Sequence, residues 1–226
     1  MKVQTAFFSI LIVTAFMAVL LLFIAKKLKA FDPLSEPRGI VLLVIMYAET
    51  IDKMVKNKTN ERLAKFLTPY IMTVAAYIFL SNISGLFSIE APTSNYSVTL
   101  ALAAVTCVLI EVCSAKERGS KGYIKSWFEP LAPFVILNVM SKLSTLLSLS
   151  LRLFGNILSG SILMSVIYQM LASVSKMIPL IGDFNIFGVL VAPVLHFYFD
   201  LFSGVMQAFI FITLTISFIG KELPDQ

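Results

Sequence analysis

The sequence is poor in charge and in the residues that carry out nucleophilic or metal chemistry. Asp, Glu, Lys and Arg make up only 14% of its 226 residues, well below the roughly 25% of a soluble domain. It has one His and two Cys, Cys107 and Cys113, with no further ligands at metal-binding spacing. It also has no Gly-rich phosphate loop and no nucleophile beside a base. We therefore expect no soluble enzyme, no nucleic-acid-binding module, and neither a cofactor nor a metal.

Long uncharged windows are what the sequence has instead. Hydrophobic residues make up 58% of the chain, and five windows contain no charged residue. Each is long enough to cross about 30 Å of hydrocarbon as a helix, which takes roughly 20 residues. The windows are 3–25, 66–89, 91–110, 153–175 and 201–220. They predict an all-α integral membrane protein with five membrane-crossing helices.

The first window begins like a signal peptide, with Lys2 ahead of an apolar stretch. Lys26, Lys27 and Lys29 then stand where a small-residue cleavage site would be. We expect residues 1–25 to be retained as the first span.

Basic residues predict the orientation in the membrane, because Lys and Arg are enriched on the cytoplasmic side. Nine lie between the first and second spans and four more lie in 116–125, whereas the opposite side has only Lys2 and Lys176. This distribution predicts an external N-terminus and a cytoplasmic C-terminus. The net charge of +5 therefore reflects topology and not affinity for nucleic acid.

The remaining segments are assigned by length. Residues 39–65 start with an apolar run too short to span and continue with charges, which predicts a cytoplasmic interfacial helix. Residues 66–115 predict a helical hairpin. The 52 residues 130–181 would form about 78 Å of helix, and no Pro or Gly supplies a turn between Pro133 and Gly155. We expect a long tilted helix, a short external loop at 179–185, and a second long helix over 186–219, so that 130–219 forms an antiparallel pair.

Arg152 requires an explanation, because an arginine inside a membrane segment costs several kcal/mol and stays protonated. Polar residues recur around it at steps of three or four, which places them on one helix face. This stripe contains Ser141, Ser144, Ser148, Arg152, Asn156 and Ser159. Arg152 either snorkels or forms a static ion pair, or it has a functional role, which we favour.

A second polar face is predicted on the last helix, where His196, Asp200, Ser203 and Gln207 follow steps of four, three and four. Removal from water favours the neutral form of a carboxylate, so Asp200 is a candidate for proton exchange. The alternative is a set of ordinary interhelical hydrogen bonds.

Other polar residues are weaker candidates. Glu111 is expected to face Lys116 or head groups, and Lys142 and Lys176 are expected to snorkel to the interfaces. Asn82 and the turn at 92–94 either line an external vestibule or only cap helices.

Residues 148–156, Ser-Leu-Ser-Leu-Arg-Leu-Phe-Gly-Asn, resemble the signature of subunit a of the F-type ATP synthase membrane sector. The resemblance extends to two further regions, before the third span and in the last helix. It includes Asn82, Gly85, Leu86, Pro92, Thr93 and Thr99, and the run Gln207-Ala-Phe-Ile-Phe. It implies a bacterial plasma-membrane protein that is no enzyme by itself. Its implied partners are a c-subunit ring, the b subunits of the peripheral stalk and the rest of the synthase.

The resemblance also implies residue roles. The essential arginine that couples proton flow to ring rotation corresponds to Arg152, and the polar residue facing it corresponds to Gln207. Asp200 falls on a proton half-channel, and Asn156 belongs to the signature; His196, Ser148 and Ser161 are assigned to the same path. Three positions depart from the common pattern: Ser161 and Asn138 replace titratable residues, and Leu146 replaces a proline.

Three alternatives remain open at this point. The first is a sodium-coupled version of the same subunit. The second is a self-contained secondary transporter, which would show inverted repeats and broken helices at the membrane midplane. The third is a scaffold in which Arg152 pairs statically with Asp200.

Overall fold

The computed structural model describes residues 5–32, 36–87, 89–128, 132–177 and 185–223. Within these ranges the chain is helical and has no strand. The main helices are α1 (Thr5–Lys29), α2 (Ile40–Lys56), α3 (Glu61–Ile83), α4 (Tyr96–Phe128), α5 (Val135–Ser175), α6 (Ile186–His196) and α7 (Ser203–Glu222). Short 3₁₀ segments are Ser84–Phe87, Pro92–Ser94 and Ala132–Phe134.

Five helical segments of the described residues are long and apolar enough to cross a membrane, which confirms the predicted number of spans. They are Phe7–Lys29, Glu61–Phe87, Tyr96–Phe128, Val135–Ser175 and Ile186–Glu222. Large apolar side chains cover their outer surfaces, among them Phe16 and Leu22 of α1 and Leu151 and Ile162 of α5. Such an exposed apolar surface suits lipid and would not suit water.

The segment 39–65, predicted to lie at the interface, contains α2, which starts after Gly39 at φ 61° and packs against α3. Its Tyr47 hydroxyl donates to the Met72 carbonyl of α3 at 2.9 Å. Asp52 pairs with Lys56 at 2.6 Å and accepts from Thr68 Oγ1 at 3.1 Å. The Lys56 hydrogen bond holds the pKa of Asp52 below its usual range, with a further contribution from Thr68.

The segment predicted as a hairpin over 66–115 corresponds to α3 and α4, but their main packing partners lie elsewhere. α3 lies against α7 and α2, whereas α4 makes extensive contact with α5. α4 also continues past residue 115 to Phe128 and breaks at Gly119, where φ 70° and ψ 161° are not helical. Only glycine adopts such a backbone easily, so Gly119 redirects residues 120–128.

α5 is unbroken over 41 residues, as the missing turn residues predicted. At 1.5 Å per residue it is about 61 Å long, roughly twice the hydrocarbon thickness, so it must lie tilted in a bilayer. The loop expected after it falls mostly on residues 178–184, which lie outside the described residues, as does Lys2.

The last long helix, predicted over 186–219, is continuous over Ile186–Glu222, but it is not α-helical throughout. α6 contains Pro193, which has no amide hydrogen for the helical ladder, and Phe197–Phe202 form a π-helical segment before α7. π-helical turns are frequent at functional sites. Asp200 lies within this one.

Candidate functional site

Arg152 is presented on the exposed face of α5. Among the residues that the structure describes, none forms a hydrogen bond or an ion pair with its guanidinium. Ser141, Ser144 and Ser148 are exposed on the same helix. This part of the predicted polar stripe is therefore exposed, whereas Asn156 of the same stripe is only partly exposed.

Asp200 lies at the edge of a polar cavity of about 260 Å³, here called the Asp200 cavity. The cavity lies between the end of α3, the loop before α4, the middle of α5 and the π-helical segment. Its polar lining consists of Asn82, Glu90, Ser94, Asn156, Ser161 and Asp200. Asn82 and Ser94 thus line one cavity, and Asn82 Oδ1 accepts a 3.1 Å hydrogen bond from Thr93 Oγ1.

The carboxylate of Asp200 is bound by the imidazole of His196, with Oδ2 2.6 Å from Nδ1. The side chain of His196 is 38% exposed and that of Asp200 is 18% exposed. Gly85 leaves room beside the carboxylate, because a β-carbon at Gly85 would stand 3.3 Å from Asp200 Oδ1. Asp200 thus lines the cavity, and His196 pairs with it from the preceding helical turn.

Two other predicted residues lie deeper. Asn156 Nδ2 donates to Ser203 Oγ at 2.8 Å, which joins α5 to the first turn of α7. Gln207 is only 5% exposed, and its Nε2 has no hydrogen-bond partner among the described residues. No hydrogen bond in the described part of the chain joins Gln207 to Arg152.

A second polar cavity, of about 150 Å³, lies at the opposite end of α5 and is here called the Glu111 cavity. Glu111 pairs there with Lys142 and accepts from the Tyr123 hydroxyl at 2.7 Å. Of the two expectations for Glu111, Lys116 or head groups, the first is wrong, because Glu111 pairs with Lys142. Lys116 instead lies 4.3 Å from the centre of the Phe66 ring. Sequence spacing missed the pair because its partners are 31 residues apart and meet only when α4 packs on α5.

An apolar layer separates the two cavities. Its buried residues are Val74, Ile78, Ala103, Leu149, Leu153, Ala208 and Phe211. On α5, Leu149 and Leu153 come after Thr145 of the Glu111 cavity and before Asn156 of the Asp200 cavity. Arg152 therefore lies level with this layer, directly before Leu153 on α5, with its own side chain exposed.

The static pair between Arg152 and Asp200 is wrong for this chain, because Asp200 is bound to His196. The fold does bring Asp200, Asn156 and Ser161 to one cavity, whereas Ser148 and Arg152 lie on the exposed face of α5.

Together, the fold and the site define a multi-pass helical membrane protein with an exposed arginine level with the layer between two polar cavities. The chain belongs to the ATP synthase A chain family, whose sequence profile matches residues 7–220.

Curated relatives agree with the family. The chain is 34% identical over 186 residues to the ATP synthase subunit a of Acidothermus cellulolyticus, covering 80% of this chain and 64% of that protein. It is 30% identical over 178 residues to that of Desulforamulus reducens, covering 76% and 63%. It is 32% identical over 177 residues to the "ATP synthase subunit a, sodium ion specific" of Propionigenium modestum, covering 71% and 55%. The matched part thus spans less than two thirds of each of these relatives.

Proposed function

We propose that this chain is the proton-translocating stator subunit of a rotary ATP synthase in a bacterial plasma membrane. It works beside a ring of c subunits, and the b subunits of the peripheral stalk hold it in place. The observation that carries the proposal is the position of Arg152, exposed and level with the layer that separates two polar cavities. An unpaired intramembrane cation needs a counter-charge, and a carboxylate on a neighbouring subunit supplies it.

The arginine acts as an electrostatic barrier to protons. Its guanidinium is protonated at every physiological pH, so it attracts an ionised ring carboxylate but cannot pass a proton onward. A carboxylate that leaves Arg152 towards lipid must first be neutralised, because an ionised carboxylate in hydrocarbon is very costly. Rotation in one direction therefore takes a proton from one cavity and delivers it to the other.

The Asp200 cavity serves the outer half of this path. Asp200 and His196 exchange protons with cavity water, and Ser161 and Asn156 offer further hydrogen-bonding groups along α5. Ser148 lies one turn before Arg152 on α5, and Gln207 lies one turn after Ser203 on α7. Both assist the transfer of protons to and from the ring. With an external N-terminus and a cytoplasmic C-terminus, this cavity opens outside and the Glu111 cavity opens to the cytoplasm.

The test is ATP-driven acidification of inverted membrane vesicles that carry the assembled complex with Arg152→Ala. We expect ATP hydrolysis and subunit content to persist while acidification is abolished. Lys176→Ala is the matched control, because Lys176 is an exposed cation at the end of the same helix. Acidification that survives Arg152→Ala in an assembled complex would overturn the proposal.

The coupling ion is tested in the same vesicles. Because a sodium-specific relative is 32% identical, sodium coupling is the second candidate. Proton coupling predicts that acidification is insensitive to added Na⁺ and collapses with a protonophore. Suppression of acidification by Na⁺ at constant pH would favour sodium coupling instead.

A further inference from the structure

A compact group of charged side chains closes the Glu111 cavity. Glu111 Oε2 accepts hydrogen bonds from both Lys142 Nζ and the Tyr123 hydroxyl. Glu222 Oε2 lies 3.9 Å from the same Lys142 ammonium. One lysine is therefore shared by two carboxylates that come from different helices, α4 and α7.

The surroundings hold the ammonium between these acids without supplying a further ion pair. Lys142 Nζ lies 4.4 Å from the centre of the Trp127 ring and 5.4 Å from that of Tyr123. Lys221 also lines the cavity, but its ammonium lies over the Phe218 ring.

Two further titratable residues lie near the cluster: Cys107, which lines the cavity, and Arg118, which contacts the backbone of Glu222. Arg118 Nε donates to the backbone carbonyl of Glu222 at 2.9 Å and so leaves the two carboxylates to Lys142.

A line of hydroxyl groups leads from this cavity towards Arg152. Ser141 and Thr145 line the cavity, and Ser148 and Arg152 follow at further steps of three and four residues. These steps keep all four on one face of α5. Thr145 and Arg152 are about 10 Å apart along the helix axis at 1.5 Å per residue. A few water molecules beside these hydroxyls would bridge that distance.

Stability alone is a poor explanation for this cluster. The side chains of Lys142 and Glu111 are 22% and 26% exposed, and partly exposed ion pairs contribute little to folding. An apolar trio would fill the same space between α4, α5 and α7 without removing charge from water. Two carboxylates that share one ammonium at the wall of a polar cavity are instead suited to binding and releasing protons.

We propose that Glu111 is a proton-exchanging carboxylate of the cytoplasmic half of the path, with Lys142 as a counter-charge that alternates between Glu111 and Glu222. This inference rests on the proposed function. When the Lys142 ammonium moves to Glu222, the Glu111 carboxylate takes a proton from cavity water and becomes a neutral acid. It returns that proton to water along the Ser141, Thr145 and Ser148 face, which carries it to the ring carboxylate. The return of Lys142 restores the starting state.

The test is ATP-driven acidification of inverted vesicles by assembled complexes with Glu111→Gln, at about pH 6.5 and about pH 8.5 in the medium. In such vesicles the medium sets the pH at the cytoplasmic face. We expect the loss of rate to be at least about tenfold larger at the alkaline pH, where proton capture is limiting. Glu117→Gln is the matched control on the same helix. It keeps an acceptor for the Asn60 amide, which now bonds to Glu117 at 3.2 Å.

A second variant, Lys142→Met, distinguishes proton exchange from a structural tie. Loss of the counter-charge strengthens proton binding by Glu111, so we expect the pH profile to shift towards alkaline values, opposite to Glu111→Gln. Equal losses at both pH values, no loss, or the same shift in both variants would overturn the inference. If Glu111→Gln does not assemble, the Lys142→Met profile decides alone. Suppose that Arg152→Ala abolishes acidification while the loss of rate in Glu111→Gln is the same at both pH values. That result would reject this inference and keep the proposed function.

Discussion

The side chains of Asn156 and Ser203 exchange two hydrogen bonds across the contact between α5 and α7. Asn156 Nδ2 donates to Ser203 Oγ at 2.8 Å, and Ser203 Oγ lies 3.2 Å from Asn156 Oδ1. The Asn156 amide and the Ser203 hydroxyl each have a hydrogen to donate and an oxygen to accept, so both hydrogen bonds can form together. Asn156 lies one helical turn after Arg152 on α5. Its bonds to Ser203 therefore hold α7 against α5 close to the exposed arginine.

We therefore expect Ser203→Ala to weaken the contact between α5 and α7. The Asn156 amide would lose its partner, at a cost of about 1 kcal/mol for an interhelical hydrogen bond in a membrane. The readout is thermal stability of the purified complex, with Ser159→Ala as the control. Ser159 Oγ donates to the Asn156 carbonyl of its own helix and, among the described residues, bonds to no other helix. Equal stability of the two variants would contradict this role for the pair.

The pair of His196 and Asp200 predicts an asymmetric pattern of variants. Asp200→Asn removes the carboxylate that faces the cavity, so we expect ATP-driven acidification to fall by about 10²-fold or more, as for loss of an acid–base group. His196→Gln keeps the carboxylate and a hydrogen-bond donor, so we expect a smaller loss. Acidification rates normalised to subunit content measure both effects. A larger loss for His196→Gln would assign proton exchange to the imidazole instead.

Close packing of α3 on α7 depends on Gly204. A β-carbon at Gly204 would stand 2.9 Å from Asn82 Cβ, a distance that forces the helices apart. We expect Gly204→Ala to destabilise the chain by roughly 1–3 kcal/mol, as overpacking does. Gly160→Ala is the control, since its β-carbon would meet Phe199 Cδ1 at an ordinary 3.6 Å. Thermal unfolding in detergent compares the two, and similar midpoints would contradict the close approach.

Docking of α2 on α3 should depend on pH through the hydrogen bond that Thr68 of α3 donates to Asp52 of α2. The pKa of this carboxyl is lowered by the hydrogen bond from Lys56, with a further contribution from Thr68. The contribution of the ionised Asp52 to stability is therefore fully present above the ordinary Asp pKa of about 3.9. It is lost as the pH falls through the lowered pKa of Asp52. A spin label at Lys53→Cys should become more mobile only in that acidic window. The same label with Asp52→Asn should show no step, and a step that persists there would contradict the assignment.

Much of the fold follows from local sequence. The uncharged windows determine the five spans, and the missing Pro and Gly before Gly155 make α5 a single long helix. The sequence does not predict the π-helical segment around Asp200. The run that follows Pro193 is almost uniformly apolar, so no spacing of polar residues distinguishes an α turn from a π turn. Local signals for the break at Gly119 are equally weak, since a glycine inside a helix is usually tolerated.

The sequence by itself determined that this is a membrane protein, that Arg152 is costly in its span, and that polar residues share its face of α5. Periodicity and composition are local properties of one helix, so they need no knowledge of the neighbours. The step of four between His196 and Asp200 already placed these two on one helix face. Only the tertiary structure decided the two pairs between helices, Asn156 with Ser203 and Glu111 with Lys142. Their geometry depends on how α4, α5 and α7 pack, which no spacing along the chain encodes.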